Sequence, residues 1–224
     1  MPEKVLIAMS GGVDSSVAAL LLKNKGYECI GATMKLFYGA DVNRPENSKA
    51  CCTVDDALDA KSVAFKLGFN HYTFNFTDAF KEDVIERFVK AYEKGLTPNP
   101  CIDCNHYLKF EKLYDRAKEL GCSYIATGHY ANVAFENGRW LLKKAADLNK
   151  DQSYVLYNLT QEQLAHTLFP LGSLTKPEIR KTAEENGFIN AQKPDSQDIC
   201  FVPDGDYAGF IEKYTNKKYP EGDF

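Results

Sequence analysis

Apolar and polar positions along the chain fall into blocks that switch between strand and helix periodicity. Val5-Leu6-Ile7-Ala8-Met9 is a continuous apolar run of strand length. Ser16-Val17-Ala18-Ala19-Leu20-Leu21-Leu22 follows with helical character and stops at Gly26. Cys29-Ile30-Gly31-Ala32-Thr33-Met34 reads as a second strand, and Tyr38 to Ala50 as a polar, mobile loop. From Asp55 to Leu67 the apolar residues Ala57, Leu58, Ala60, Val63, Ala64 and Leu67 recur at helical spacing, closed by Gly68. His71 to Phe76 alternates as a strand does. Helix returns from Asp78 to about Lys94, breaks at Gly95 and Pro98, and resumes from Asn105 to Leu120. Tyr124-Ile125-Ala126-Thr127-Gly128 is a further strand ending in glycine. This alternation predicts a parallel sheet covered by helices.

Farther along, Val133 to Lys144 carries Asn137-Gly138 between apolar flanks, which predicts a hairpin. Thr160 with Gln163 and Thr175 with Glu178 have the spacing of capping boxes, so two more helices start there. The first is expected to run toward Leu168 and the second to end near Gly187. Asp206 to about Tyr214 is a last amphipathic helix with Tyr207, Phe210, Ile211 and Tyr214 on one side. No repeat or low-complexity segment interrupts the pattern.

Composition narrows the class without deciding it. With 224 residues, 44% hydrophobic and 26% charged, the chain has the make-up of a globular protein able to bury a core. No apolar run approaches the ~18 residues of a membrane span, and the N-terminus has no signal-peptide pattern. A net charge of −4 argues against a broad nucleic-acid surface but leaves room for a local basic patch. Seven cysteines, an odd number, favour redox, sulfur or metal chemistry over a disulfide scaffold. The expected compartment is the cytoplasm.

Three stretches carry candidate chemistry. Ser10-Gly11-Gly12-Val13-Asp14-Ser15, between the first strand and helix, joins two glycines to residues that suit a helix start. A helix N-terminus there presents unpaired N–H groups to a phosphate. Neither G-x-x-x-x-G-K-[ST] nor G-x-G-x-x-G describes the loop. Thr97-Pro98-Asn99-Pro100-Cys101-Ile102-Asp103-Cys104-Asn105 reads as a proline-bounded loop that brings C-x-x-C to a helix start, where thiolate is favoured. Spacing alone leaves a redox dithiol, half of a zinc site, iron–sulfur ligation and two inert thiols all open; no second C-x-x-C completes a zinc set. Pro194-Asp195-Ser196-Gln197-Asp198-Ile199-Cys200-Phe201 is a polar loop ending on a cysteine. Cys51 and Cys52 read as packing residues, and Cys29 and Cys122 as core.

Taken in order, these motifs resemble the tRNA-specific 2-thiouridylases of the MnmA/TrmU family over essentially the whole chain. The match includes Ala8 to Ser15, Cys51-Cys52, Thr97 to Pro100 leading to Cys104-Asn105, and Ala126-Thr127-Gly128-His129-Tyr130. Lys150-Asp151-Gln152-Ser153-Tyr154 and Asp195 to Phe201 complete it. The resemblance implies an α/β fold, a Rossmann-like adenine-nucleotide α-hydrolase domain (a PP-loop ATP pyrophosphatase) with a parallel sheet, plus part of a small central domain. It implies thiolation of a tRNA wobble uridine: ATP, with Mg2+, activates the uracil C2 oxygen as an adenylate, and sulfur then displaces AMP. Ala8, Met9, Ser10, Gly11, Gly12, Val13, Asp14 and Ser15 would hold the phosphates, Met34 would face the adenine, and Gly128 would add a backbone contact. Asn99, Pro100 and Cys101 would lie against the target base, and Lys150, Asp151 and Gln152 would touch tRNA. Cys200 would carry a persulfide sulfur delivered by a cysteine desulfurase or a relay carrier, and Cys104 would attack it, leaving a Cys104–Cys200 disulfide.

Two departures from the family pattern carry expectations of their own. Many members have Asp where this chain has Cys101, so Cys101, Cys104 and Cys200 could instead hold a [4Fe-4S] cluster with one open iron. Members also continue into a completed central domain and a C-terminal β-barrel, before which this sequence stops. The expected organisation is a catalytic domain over 1–159, a helical segment of the central domain over 160–189, and a return segment over 190–203 carrying Cys200. Residues 204–224 would begin the incomplete central domain. Competing readings are a sulfurtransferase with another acceptor and a nucleotide- or metal-binding module without catalysis.

Overall fold

The computed structural model describes residues 2–37, 54–195 and 199–220. The expected loop at 38–50, Cys51, Cys52, Ser196, Gln197, Asp198 and the last four residues lie outside the described residues.

A five-stranded parallel sheet organises the chain. Its strands are β1 (Lys4–Ala8), β2 (Glu28–Lys35), β3 (His71–Asn75), β4 (Tyr124–Thr127) and a two-residue strand at Thr167–Leu168. They run in the order β3, β2, β1, β4, Thr167–Leu168, with Leu6 opposite both Ile30 and Ile125. β1 is central, which is why Val5, Leu6 and Ile7 are all fully buried. Burial of each stabilises the fold by about 1.5–3 kcal/mol.

The two-residue period of β1 divides the core. Val5, Ile7 and Met9 face helices α1 (Val13–Asn24) and α2 (Val54–Lys66), meeting Val17, Ala18, Ala60, Val63 and Ala64. Leu6 faces the opposite layer, built from two long helices at 77–92 (α3) and 100–119 (α4). Each contains a π-helical stretch, Lys81–Ile85 in α3 and Cys104–Lys112 in α4. Phe80, Val84 and Phe88 of α3 and Leu108 and Leu113 of α4 fill this second core.

β5 (Ala131–Glu136) and β6 (Arg139–Lys144) form the expected hairpin, with both Asn137 and Gly138 at positive φ. The two capping boxes are present and open helices α5 (Gln161–Ala165) and α6 (Lys176–Glu185), α6 packing on α1. Asp206 caps α7 (Tyr207–Thr215) through Gly209 N at 2.9 Å.

Two expectations need correction. α5 ends at Ala165 rather than near Leu168, because Thr167 and Leu168 pair with Ile125 and Ala126 and extend the sheet. α4 starts at Pro100 rather than Asn105: the Asn99 side chain accepts from Cys101 N at 3.1 Å, and Pro100 occupies the first helical position. Cys101 and Cys104 therefore lie within the opening turns of a 20-residue helix, not in a loop before it. Cys29 and Cys122 are buried as expected, and burial pushes both thiols up to about 11.

Candidate active site

The site lies at the carboxyl end of the sheet, where β1 turns into α1. Gly11 has φ +76°, and a Cβ there would overlap the Asp56 carbonyl, so the turn demands glycine twice over. Gly12 is the N-cap of α1 and no side chain caps that end. Ser15 and Ser16 turn their hydroxyls back onto the Gly12 carbonyl, each at 3.0 Å, and Ser15 Oγ accepts from Ser10 N at 3.3 Å. Gly128, just past β4, closes the site from the side: a Cβ there would stand 2.8 Å from Ser15 N and 2.9 Å from Asp14 C. An uncapped 12-residue helix behind two glycines fits a phosphate group by its own chemistry.

A charge network surrounds this loop. Asp14 accepts from Tyr130 Oη at 2.8 Å and from Lys176 Nζ at 2.7 and 2.8 Å. Burial first, then the charge of Asp14, raises the Tyr130 phenol well above its ordinary value, so it stays a donor. Lys176 also reaches Asp195 at 2.7 Å, and Asp195 receives Lys150 at 2.9 Å and Arg180 at 2.8 Å. Burial pushes the Asp195 carboxyl up, but hydrogen bonds from Lys176 and Lys150 outweigh it and bring it down to about 2. Asn190 Nδ2 donates to Gly11 O and Ser16 Oγ, both at 2.9 Å, and Lys193 joins Gly11 O to Asp56 and Asp59.

The remaining expected site residues are placed as follows. Met34 is buried near the end of β2, within the aromatic core. Asn99 and Cys101 are exposed and Pro100 is buried. Asp151 accepts from Ala145 N and Ser153 Oγ, and Gln152 accepts from Tyr130 N at 3.0 Å. Those two side chains thus serve the fold's own hydrogen bonds, while Lys150 turns toward Asp195.

Cys104 and Cys200 are both half-buried and both pack against the α3–α4 core. α3 links their neighbourhoods: Arg87 pairs with Asp103 at 3.5 Å and lies 4.8 Å over the Tyr107 ring, while Phe88 meets the Phe201 ring at 5.2 Å. Beside Cys104, the buried Asn105 Oδ1 and His106 Nδ1 have no hydrogen-bond partner. Among the described residues, no group of three His, Cys, Asp or Glu side chains is placed to hold a metal ion. Sequence reasoning missed Tyr130, Lys176, Arg180, Asn190 and Lys193 as loop partners. Of these only Lys176 and Arg180 lie on an expected helix, and nothing in local spacing ties any of the five to Asp14 or Asp195.

Fold and site together define a parallel α/β domain with an anion-binding glycine loop at the end of its first strand. Residues 3–204 match the family described as tRNA methyl transferase HUP domain, and the chain belongs to that family. It is 51% identical over 226 residues to the tRNA-specific 2-thiouridylase MnmA of Clostridioides difficile (strain 630), covering 100% of this chain and 62% of that protein. It is 52% identical to the MnmA of Lachnoclostridium phytofermentans, covering 99% and 62%. The chain thus spans about 62% of the length of these curated relatives. A solved 4-thiouridine synthetase–RNA complex with bound ATP shares the fold at TM-score 0.58 and 17% identity, covering 96% of this chain and 50% of that one. No helix among the described residues is long and apolar enough to cross a membrane.

Proposed function

We propose that this chain carries the ATP-activating and sulfur-transferring part of 2-thiouridine synthesis at the tRNA wobble position. The observation that carries the reading is the uncapped N-terminus of α1 behind Gly11-Gly12, closed by Gly128 and faced by Lys176. Ala8 to Ser15 would hold the ATP phosphates, Met34 would face the adenine and Gly128 would supply its backbone. Mg2+ would offset charge on the departing pyrophosphate. The uracil C2 oxygen attacks the α-phosphorus, pyrophosphate leaves, and the C2–O–AMP linkage becomes the leaving group for sulfur.

Asn99, Pro100 and Cys101 form the first turn of α4 beside Cys104, which suits them to meet the target base. Lys150, Asp151 and Gln152 are assigned to tRNA contact, with Lys150 supplying the charge and the other two shaping the segment. A cysteine desulfurase or a relay carrier would load Cys200 as a persulfide. Cys104 thiolate would attack the inner sulfur of Cys200, forming a Cys104–Cys200 disulfide and releasing the outer sulfur as hydrosulfide. Hydrosulfide then displaces AMP at C2, and an external thiol reductant restores both cysteines. The setting is the cytoplasm, where such reductants are available.

Anaerobic assay of pyrophosphate release from ATP, with and without unmodified tRNA, tests this reading. Release stimulated by tRNA is the expected result; release indifferent to tRNA overturns the tRNA assignment for this chain. Iron and sulfide analysis of the same preparation, with Cys101→Ala alongside, is expected to find active, iron-free protein. Activity that tracks iron content, and vanishes with Cys101, would overturn the persulfide route.

A further inference from the structure

Two glycines in a row leave the peptide between them free to turn either way. Both torsions beside it, ψ of Gly11 and φ of Gly12, belong to residues without a Cβ. Which way it turns decides whether the loop attracts or repels an anion. In a trans peptide the carbonyl and the N–H point in opposite directions, and among the described residues no peptide is cis. A Gly11 carbonyl held inward therefore aims the Gly12 N–H outward, toward the open start of α1. A flipped peptide would set the carbonyl oxygen against the phosphate instead.

The hold comes from a segment 179 positions farther along the chain. Asn190 Nδ2 has two hydrogens and uses both, one to Gly11 O and one to Ser16 Oγ, each at 2.9 Å. The Ser16 hydroxyl passes its own hydrogen to Gly12 O at 3.0 Å, so one amide group governs two successive carbonyls. Lys193 Nζ gives Gly11 O a longer second contact at 3.3 Å while pairing with Asp56 and Asp59. Stability alone does not call for asparagine here. The residue is 2% exposed and its Oδ1 has no hydrogen-bond partner, a cost that an apolar side chain of the same size avoids.

Resting on the phosphate-binding reading of the loop, we propose that Asn190 is a positioning residue of the nucleotide site. It fixes the Gly11–Gly12 peptide with the carbonyl inward, and through Ser16 it does the same for the Gly12 carbonyl. The N–H groups of Gly12 and Val13 then face a polyphosphate before it arrives. Because the donors are aimed in advance, binding requires no peptide rotation. Lys193 supports the Gly11 carbonyl in the same orientation.

The test uses the full 224-residue chain, with ATP and inorganic tripolyphosphate titrated by calorimetry and a thermal melt without ligand. Asn190→Leu removes both donors, and the orphaned Oδ1 with them, while keeping close to the same volume. It should melt within a few degrees of the parent yet bind both probes at least about tenfold more weakly, since a site misplaced by ~1 Å can cost ~100-fold. A matching loss for tripolyphosphate, which has no base, assigns the effect to the phosphates. Asn132→Leu is the control, because Asn132 Nδ2 also clamps two carbonyls, Lys144 O and Gly172 O, both at 3.0 Å. Its probe affinities should stay within about twofold of the parent, as expected for an independent position. If Asn190→Leu does not fold, Asn190→Ala removes the same donors without the added branch and takes its place. Unchanged affinity in the folded Asn190 variant overturns the positioning role alone, as does an equal loss in Asn132→Leu, which marks general loosening. So does a loss confined to ATP, or a parent that binds ATP but not tripolyphosphate, because a loop aimed in advance holds phosphate without the base. A parent that binds neither probe overturns the role together with the nucleotide reading it rests on.

Discussion

Gly128→Ala should separate the nucleotide site from general stability. The added Cβ would lie 2.8 Å from Ser15 N, 2.9 Å from Asp14 C and 3.1 Å from Ser15 Cα, all backbone atoms at the start of α1. Ordinary van der Waals contact begins near 3.4 Å, so β4 and α1 must part by roughly half an ångström. Overpacking of this kind costs about 1–3 kcal/mol. In a domain of this size that lowers Tm by between about 2 and 12 °C. The displaced atoms are the donors that would face the phosphates, so ATP affinity should fall at least about tenfold, since misplacement of a site by ~1 Å can cost ~100-fold. Gly138→Ala is the control: φ is +77° with no atom within 4 Å of the new Cβ, so it costs about 1–2 kcal/mol of backbone strain far from the loop. Calorimetric titration with ATP and a thermal melt on both variants decide the matter. Gly128→Ala binding ATP as tightly as Gly138→Ala would refute the placement of the phosphate site.

Asn99→Ala removes the cap that accepts from Cys101 N and should cost about 1 kcal/mol, read as a Tm loss of a few degrees with faster exchange of the first amides of α4. Asp195 should contribute to acid stability. Its carboxyl is held down at about 2, below the ordinary value of 3.8, so its ion pairs are fully in place above about pH 4 and are lost as pH falls through 2. After allowance for solvent screening this amounts to roughly 1–2 kcal/mol, seen as a shallower loss of stability between pH 4 and 2 in Asp195→Asn than in the parent by urea titration. Cys29 and Cys122, buried with thiols raised to about 11, should stay unlabelled by iodoacetamide at pH 8 in the folded protein, while the exposed Cys101 reacts. Labelling of Cys122 at the rate of Cys101 would contradict the packing described here.

How far the sequence discloses this molecule depends on the range over which each feature is encoded. The glycine loop, the hairpin at Asn137-Gly138 and the boxes at Thr160 and Thr175 are each specified within a few neighbouring residues, and each stands in the structure where the sequence puts it. Thr167–Leu168 is a strand only because β4 lies beside it; two residues carry no period of their own, so the local pattern extends the helix through them. The start of α4 shows a local signal read in the wrong sense. Prolines at 98 and 100 suggest a loop, yet Pro100 needs no N–H donor at the first helical position and Asn99 supplies the cap. The charge network is the least legible part for a physical reason. Asp14, Lys150, Lys176, Arg180 and Asp195 meet only after β1, α6 and the 190–195 segment have assembled, with up to 181 positions between them along the chain (195 − 14). A lysine at the start of a capped helix looks like surface in one dimension, where cations usually favour the other end of a helix. At 8% exposure it is buried between two carboxylates, a placement that helix formation alone does not require. A buried ammonium is tolerated only while its partners remain charged and close. Those partners come from segments far apart along the chain, which local sequence patterns cannot reveal.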